Sequence, residues 1–471
     1  MINFLYPFSG NFMMAWFEPW KSDNFINGVI QIAHKPIIDD VFRMLYPYRI
    51  LAIDLIKNFQ SPLWNPYNGS GTPLLAVMHP GLLNPMGMVF FFFPNHIAWT
   101  LFLCLQILFL GLFTYIYCRK VAMSSWGALF SSVILIFSGY VTARLEYGEF
   151  LYGLSMLPLL LYLIESNKLI FTPLAVSFLF FSGQPHVIIY VIFLSSIYAL
   201  LRLAKKRIMF YIVMVFMGIA LAAIQLAPSL ELFWHSSIIN SDSSQFMFKK
   251  FLLPIAHIIT IFIPNYFGSS ANYNYFGAGG DSIETMAYLG LIPTFFAILS
   301  LKKRSPMSKF FLITAIASII LTLNSSLSRF FYTLPIPVIS AEAPSRFFML
   351  TTFSLAVLAG LGFDIWLRNK NFREFKVPTI IFSAIVFLLL IITFVIYQIK
   401  LPCPSVEIPQ CRLISLRNTI LESGVFTCLL ILFTGKFFFK STSKLWPYLI
   451  IAVVIVSGLY NSYKFLPFSP R

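Results

Sequence analysis

The chain has 471 residues, 58% of them hydrophobic and 11% charged, with a formal net charge of +16 and a mean hydropathy of +0.82. A soluble domain carries about 25% charged residues, so this composition excludes one. An outer-membrane barrel is also excluded, since it would alternate apolar and polar residues in short segments. The expected fold is an all-α polytopic membrane protein, because many apolar runs reach the ~20 residues that cross a bilayer.

The chain opens on "MINFLYPFSGNFMMAWF", broken by Pro7, Gly10 and Asn11, with no Lys or Arg before Lys21. It lacks the basic start of a signal peptide and reads as the remnant of a first membrane helix. The end, "YNSYKFLPFSPR", likewise reads as a cut.

Residues 1–96 form the first outward loop, and in it "KPIIDDVFRMLYPYR" holds the adjacent carboxylates Asp39 and Asp40. Two readings stand side by side. One is a solvated turn or helix cap. The other is a general base or a metal ligand at the membrane surface. Adjacent residues point to different faces, so one of the two would enter a site. "YRILAIDLIKN" (48–58) predicts a short interfacial helix. "SPLWNPYNGSGTPLLA" (61–76) is dense in turn-forming residues. His79 follows as a candidate substrate contact, and "LLNPMGMVFFFFP" (82–94) reads as a run that dips into the membrane without crossing.

Spans are expected at 97–118, 121–141, 149–164, 169–182, 186–201, 208–226, 286–301, 310–323, 346–366, 377–398, 419–435 and 445–460. These make twelve helices, or thirteen with a missing first one, in a bundle over 97–463 with a short outward tail at 464–471. The loops alternate in character. One set, from "RK" (119–120) through "RLAKKR" (202–207) to "KFFFKSTSK" (436–444), carries 18 of the 33 basic residues in short stretches, with only Glu165 and Glu374 as acids. Short basic loops face the cytoplasm. The positive charge is therefore a topology signal, and no nucleic-acid partner is expected. The large polar loops, 1–96, 227–285, 324–345 and 399–418, then face outward. In the second of these, "FLLPIAHIITIFIP" (251–264) reads as another run that dips into the membrane.

The candidate site residues sit at the outward ends of spans. "SGYVTARLEYGEF" (138–150) brings Arg144, Glu146 and Glu149 to membrane depth, where charges are costly and paired. It reads as an ion pair fixing a helix end, or as a cation facing an anionic substrate. "SGQPH" (182–186) places Gln184 and His186 at a hairpin, as capping groups or substrate contacts. In "EAPSRFF" (342–348), Arg346 sits at a helix start. A cation there opposes the helix dipole, so it calls for an anion, either Glu342 or a phosphate. Glu284 enters its span from outside, as a cap or a substrate contact. Cys403 and Cys411 share an outward loop and form a candidate structural disulfide. No Walker A, GxSxG or HExxH motif occurs, so no nucleotide cofactor is expected.

"KPIIDDVFRMLYPYR", "PLWNPYNGSGTPLLA", "SGYVTARL", "LPLLLYLIE", "QLAPSLEL", "ETMAYLGLIP" and "APSRFFMLTTFSLAVLAGLGFD" follow in an order that resembles the YfhO-like bacterial membrane proteins, of the GT-C superfamily of membrane glycosyltransferases. The resemblance covers about residues 11–366, and its most specific part is the WNPY…GTPLLA stretch. It implies a multi-pass protein of the bacterial cell membrane that works on the outer face. Such a protein passes a sugar from a polyprenyl-phosphate carrier to a cell-wall polymer, glycolipid or protein. Asp40 and Asp39 would then be catalytic or would hold Mg or Mn. Arg346 and Arg144 would hold the carrier phosphate. The acid usual near the family's first helix aligns here with Asn11, which cannot act as a base. That departure keeps an inactive envelope-assembly scaffold open. A lipid-linked-glycan flippase is the other alternative.

Overall fold

The computed structural model describes residues 40–236, 251–272, 274–278, 281–302, 305–334, 343–404, 408–438 and 445–466. Asn11, Asp39 and Glu342, and with them the reading of the N-terminal segment as a helix remnant, lie outside the described residues. Among those described, the fold is all-α apart from one two-stranded hairpin, with Trp64 opposite Pro73 and Asn65 opposite Thr72.

All twelve apolar segments are helical, but they differ in what they can span. Six helices are long and apolar enough to cross a membrane: Ile97–Lys120, Pro185–Arg202, Pro344–Arg368, Arg373–Gln398, Cys411–Phe438 and Trp446–Tyr463. Two expected spans are bent pairs, Ser125–Ile136 with Gly139–Tyr147 at 44° and Lys205–Leu221 with Ala223–His235 at 73°. The remaining four are shorter apolar helices of 10–17 residues, Phe150–Ser166, Leu169–Phe180, Leu291–Ser300 and Pro306–Thr322. By length and composition the described residues therefore hold six candidate spans, or eight if each bent pair counts as one.

The first bend has a tertiary contact at it, and the second lies near a proline. At the first, the Gly139 amide leaves the helical ladder and donates to the Tyr288 carbonyl at 2.7 Å. Near the second, Pro228 lies inside Ala223–His235. Its missing N–H and its ring act on Ile224, inside that helix and past the break at Ala222.

The short predicted helix of the first loop is observed as Tyr46–Lys57, preceded by the π-helical turn Val41–Leu45. The face it buries is Tyr48, Arg49, Ala52 and Ile53. The two runs expected to dip into the membrane share one device, a four-residue 3-10 turn followed by a four-residue α-turn: Pro85–Met88 with Val89–Phe92, and Ile255–Ile258 with Ile259–Phe262.

The chain divides into two compact units, one drawn from residues 1–113, 144–244 and 465–471, the other from 114–143 and 245–464. In the first, Phe150–Ser166 packs on Pro185–Arg202 and on Thr172–Phe180, which also packs on Lys205–Leu221. In the second, Phe348–Arg368 is the central helix and packs on Leu291–Ser300, Ser125–Ile136 and Pro306–Thr322. Glycine permits that closeness: a Cβ on Gly362 would overlap the Phe296 carbonyl, and one on Gly360 would overlap Ser131 Oγ. Small residues at such crossings let membrane helices approach. At the end of the central helix, Asp364 accepts from the Ser124 amide at 2.8 Å, from the Ser124 hydroxyl, and from Arg368 at 3.1 Å. Phe296, Phe363, Trp366 and Phe433 fill the space beside it, with Trp366 stacked on Phe433 at 5.6 Å. Cys403 and Cys411 are joined by a disulfide, with their Cα atoms 5.9 Å apart.

Candidate functional site

The first unit gathers charge in its interior. Arg49 is 3% exposed. Its guanidinium lies over the Phe102 ring, 4.1 Å from the centroid, and Nη1 donates to the Gly81 carbonyl at 3.4 Å. Glycine is required at 81 on two counts. Its φ is +53°, and a Cβ would sit 3.2 Å from Arg49 Nη2 and 3.1 Å from the Ser182 carbonyl. That left-handed region is open to glycine without steric cost. Burial pushes the Arg49 guanidinium down, to about 9, while the Glu149 carboxylate holds it up. Arg49 is thus a cation at neutral pH.

Glu149, 3% exposed, follows Gly148, whose φ of +70° ends the turn Leu145–Tyr147. Gln106 fixes this corner from the helix Asn95–Lys120. Its Nε2 donates to the Gly148 carbonyl at 3.0 Å, and its Oε1 accepts from the Tyr152 amide at 3.1 Å. The Gln184 amide, at the start of Pro185–Arg202, donates to Glu149 Oε1 instead of capping its own helix. His79 Nδ1 lies 3.4 Å from Glu149 Oε2 and 3.1 Å from Gln184 Nε2. The tautomer decides between these contacts. With a proton on Nδ1 the ring donates to Glu149, and without one it accepts from Gln184. The His79 side chain is 40% exposed and that of Glu149 is 3% exposed, so the pair connects solvent to a buried carboxylate. Gly183, at φ +95°, lets this corner close on the His79 loop: a Cβ would lie 2.7 Å from the Met78 carbonyl and 3.0 Å from that of His79.

The other expected residues of this unit are close-packed. Arg144 is 1% exposed and lies 5.7 Å over the Phe150 ring. His186 is fully buried, 5.4 Å from Phe150 and 5.8 Å from Tyr190, ring to ring. Glu146 is 1% exposed. Asp40 is different. It is exposed, stands at the start of the turn Val41–Leu45, and makes no capping hydrogen bond, so the cap reading does not hold for it.

Arg346 and Glu284 belong to the second unit and pair with each other, Nη2 to Oε1 at 3.3 Å. Ser345 Oγ donates to the other carboxylate oxygen at 2.9 Å. Glu284 does not cap its helix. Asp281 does, accepting from the Ile283 and Glu284 amides at 2.7 and 2.9 Å.

In the sequence Arg49 is one of several charges on its short helix, with Asp54 and Lys57, and Glu149 has no role apart from Arg144 and Glu146. Glu422 is not among the residues expected at the site. That residue is 5% exposed and lies well inside Cys411–Phe438. Its carboxylate accepts from Tyr288 Oη at 3.2 Å and from the Leu291 amide at 3.1 Å. The available signal was a lone acid in an apolar run.

Among the described residues no three His, Cys, Asp or Glu side chains come together as metal ligands. Asp39, the other half of the Asp39–Asp40 pair, lies outside the described residues.

No protein-family model, no curated protein and no solved structure matches the chain.

Proposed function

We propose that this protein is a membrane glycosyltransferase of the GT-C type, with twelve or thirteen spans. It would take a sugar from a polyprenyl-phosphate carrier and pass it, on the outer face of the bacterial cell membrane, to a glycan, lipid or protein hydroxyl. The observation that supports the reading is the set of buried Arg49, Glu149 and Gln184 with half-exposed His79. A buried carboxylate hydrogen-bonded to a half-exposed histidine is a general base with a proton outlet, and a cation coupled to it suits a phosphate leaving group.

In this reaction the acceptor oxygen bonds to the anomeric carbon as the bond from that carbon to the phosphate oxygen breaks. The phosphate leaves with the electron pair. Glu149 takes the hydroxyl proton and His79 passes it to water. Arg49, with Arg144, offsets the charge gathering on the phosphate. Attack opposite the leaving group inverts the anomeric centre. Asp40 is outside this scheme.

The test is sugar transfer in proteoliposomes from a panel of polyprenyl-phosphate sugars, comparing wild type, Glu149→Gln and Asp40→Asn. Loss of transfer in Glu149→Gln alone supports the assignment. Loss in Asp40→Asn alone moves the base to the first loop. No transfer from any donor overturns the enzyme reading.

One observation favours a lipid-linked-glycan flippase as the second reading. Glu422 is buried in the helix Cys411–Phe438, about 16 Å from its start at ~1.5 Å per residue. An ionisable group at that depth is the mark of a transport path.

A further inference from the structure

The second unit carries a groove of about 490 Å³ between Cys411–Phe438 and Trp446–Phe465, closed on one side by the loop that holds Pro264, Asn265 and Asn272. That volume lies within the ~300–1,000 Å³ of small-molecule sites. Its lining is graded. Asn265, Asn272, Arg417 and Asn418 stand at one end. Val425, Leu432, Val453 and Val456 line most of the rest, with Glu422, Ser457 and Asn461 among them. From Arg417 to Leu432 the wall is one continuous helix, about 22 Å long at ~1.5 Å per residue. That is most of the ~30 Å hydrocarbon core.

The polar end is built. Ser415 Oγ donates to the Tyr266 carbonyl at 2.8 Å, and Asn418 Nδ2 donates to the Asn265 carbonyl at 2.6 Å. These bonds fix the loop against the helix. Asn265 holds the left-handed conformation there, at φ 52°. Two groups at this end are unanswered. Arg417 is exposed, with no ion-pair partner among the described residues. Asn265 Oδ1 is enclosed and has no hydrogen-bond partner. A cation and a long, largely apolar channel below it describe a ligand with an anionic head and a chain.

We propose that this groove holds one phosphate-headed lipid. The phosphate meets Arg417, and the chain lies along Val425 and Val453. Membrane phospholipids and isoprenoid carriers both offer this chemistry. The proposal is independent of the transfer reading, since it uses none of Arg49, His79, Glu149 or Gln184.

The test uses the full chain in phosphatidylcholine proteoliposomes with a phosphatidylglycerol probe carrying a diazirine in its acyl chain. Cross-links are mapped by peptide mass spectrometry. Labelling is expected to concentrate on residues 421–432 and 449–456, and to fall at least fivefold in Arg417→Gln and in Val453→Trp, which fills the channel. Both variants are checked for monodisperse elution and an unchanged thermal midpoint. Arg417→Lys, which keeps the charge, should restore most of the labelling. Displacement by unlabelled phosphatidylglycerol or by a short polyprenyl phosphate, each set against phosphatidylcholine, tells the two sources apart. Equal labelling along Arg373–Gln398, an unchanged signal in folded Arg417→Gln, or no displacement beyond that by phosphatidylcholine would overturn the proposal.

Discussion

Replacing Glu149 by glutamine tests the site without emptying it. The new side chain has the same shape, and one end of its amide can still accept from the Gln184 amide, as Glu149 Oε1 does. Its other end becomes an NH₂ facing His79 Nδ1, now 3.4 Å from Glu149 Oε2. His79 can meet that donor by moving its proton to Nε2. The two hydrogen bonds survive as neutral ones, so what is lost is the charge assistance and the attraction to Arg49. A charged hydrogen bond contributes about 1.5–3 kcal/mol against about 1 for a neutral one. Loss of the carboxylate also relieves its own burial, so the net change in stability should be within about 1–2 kcal/mol. Activity should fall much further, by roughly 10²–10⁴-fold, because a general base contributes about that much. The assay is the initial rate of sugar transfer in proteoliposomes, read beside a thermal melt in detergent. Transfer within about tenfold of wild type, from a protein that melts normally, would refute the base assignment, since it falls below the ~10²-fold expected of such a group.

His257 is buried against Phe267 and accepts from the Ala278 amide at 3.1 Å, and burial pushes it down from 6.5 to about 4. The folded state then binds fewer protons than the unfolded one between about pH 4 and 6.5. Its contribution, at most about 3 kcal/mol, is full above that window and lost as pH falls through it. Melts from a neutral to a moderately acidic buffer should show that loss in wild type and a smaller one in His257→Gln. A Cβ at Gly362 meets backbone that must move, so Gly362→Ala should cost about 3 kcal/mol or more. Gly424 has open space where its Cβ would lie, so Gly424→Ala should instead gain about 0.5–1 kcal/mol, and paired melts compare the two. Cys104, Cys118 and Cys428 are free thiols and should alkylate in denaturant without reductant, whereas Cys403 and Cys411 should alkylate only after reduction, as intact-mass spectrometry would show.

The helical segments were legible because each is a long apolar run, and apolar length needs no tertiary context. Their breaks were not. The bend after Ile136 depends on an amide that finds its acceptor at Tyr288, in a distant part of the chain. The same limit applies to the site. Gln184, His186, Arg144 and Glu146 were visible as polar residues stranded at apolar boundaries. Arg49 was not, because its neighbours Gly81 and Phe102 lie far along the chain, and its helix offers other charges that do face water. Glu422 was hidden by a boundary. A span drawn at 419–435 puts it near the surface, whereas the helix begins at Cys411 and carries it inward.

Tyr288 sets an order on how the protein is made. Its carbonyl answers the Gly139 amide, and its hydroxyl answers Glu422. Synthesis adds roughly 5–20 residues per second, so Tyr288 emerges on the order of ten seconds or more after Gly139. Glu422 follows another 134 residues on. For that interval the Gly139 amide has no Tyr288 carbonyl to meet, and Tyr288 then waits for its carboxylate. The nascent chain thus passes through a stage in which lipid, water or the insertion machinery must supply bonds that its own later segments will take over.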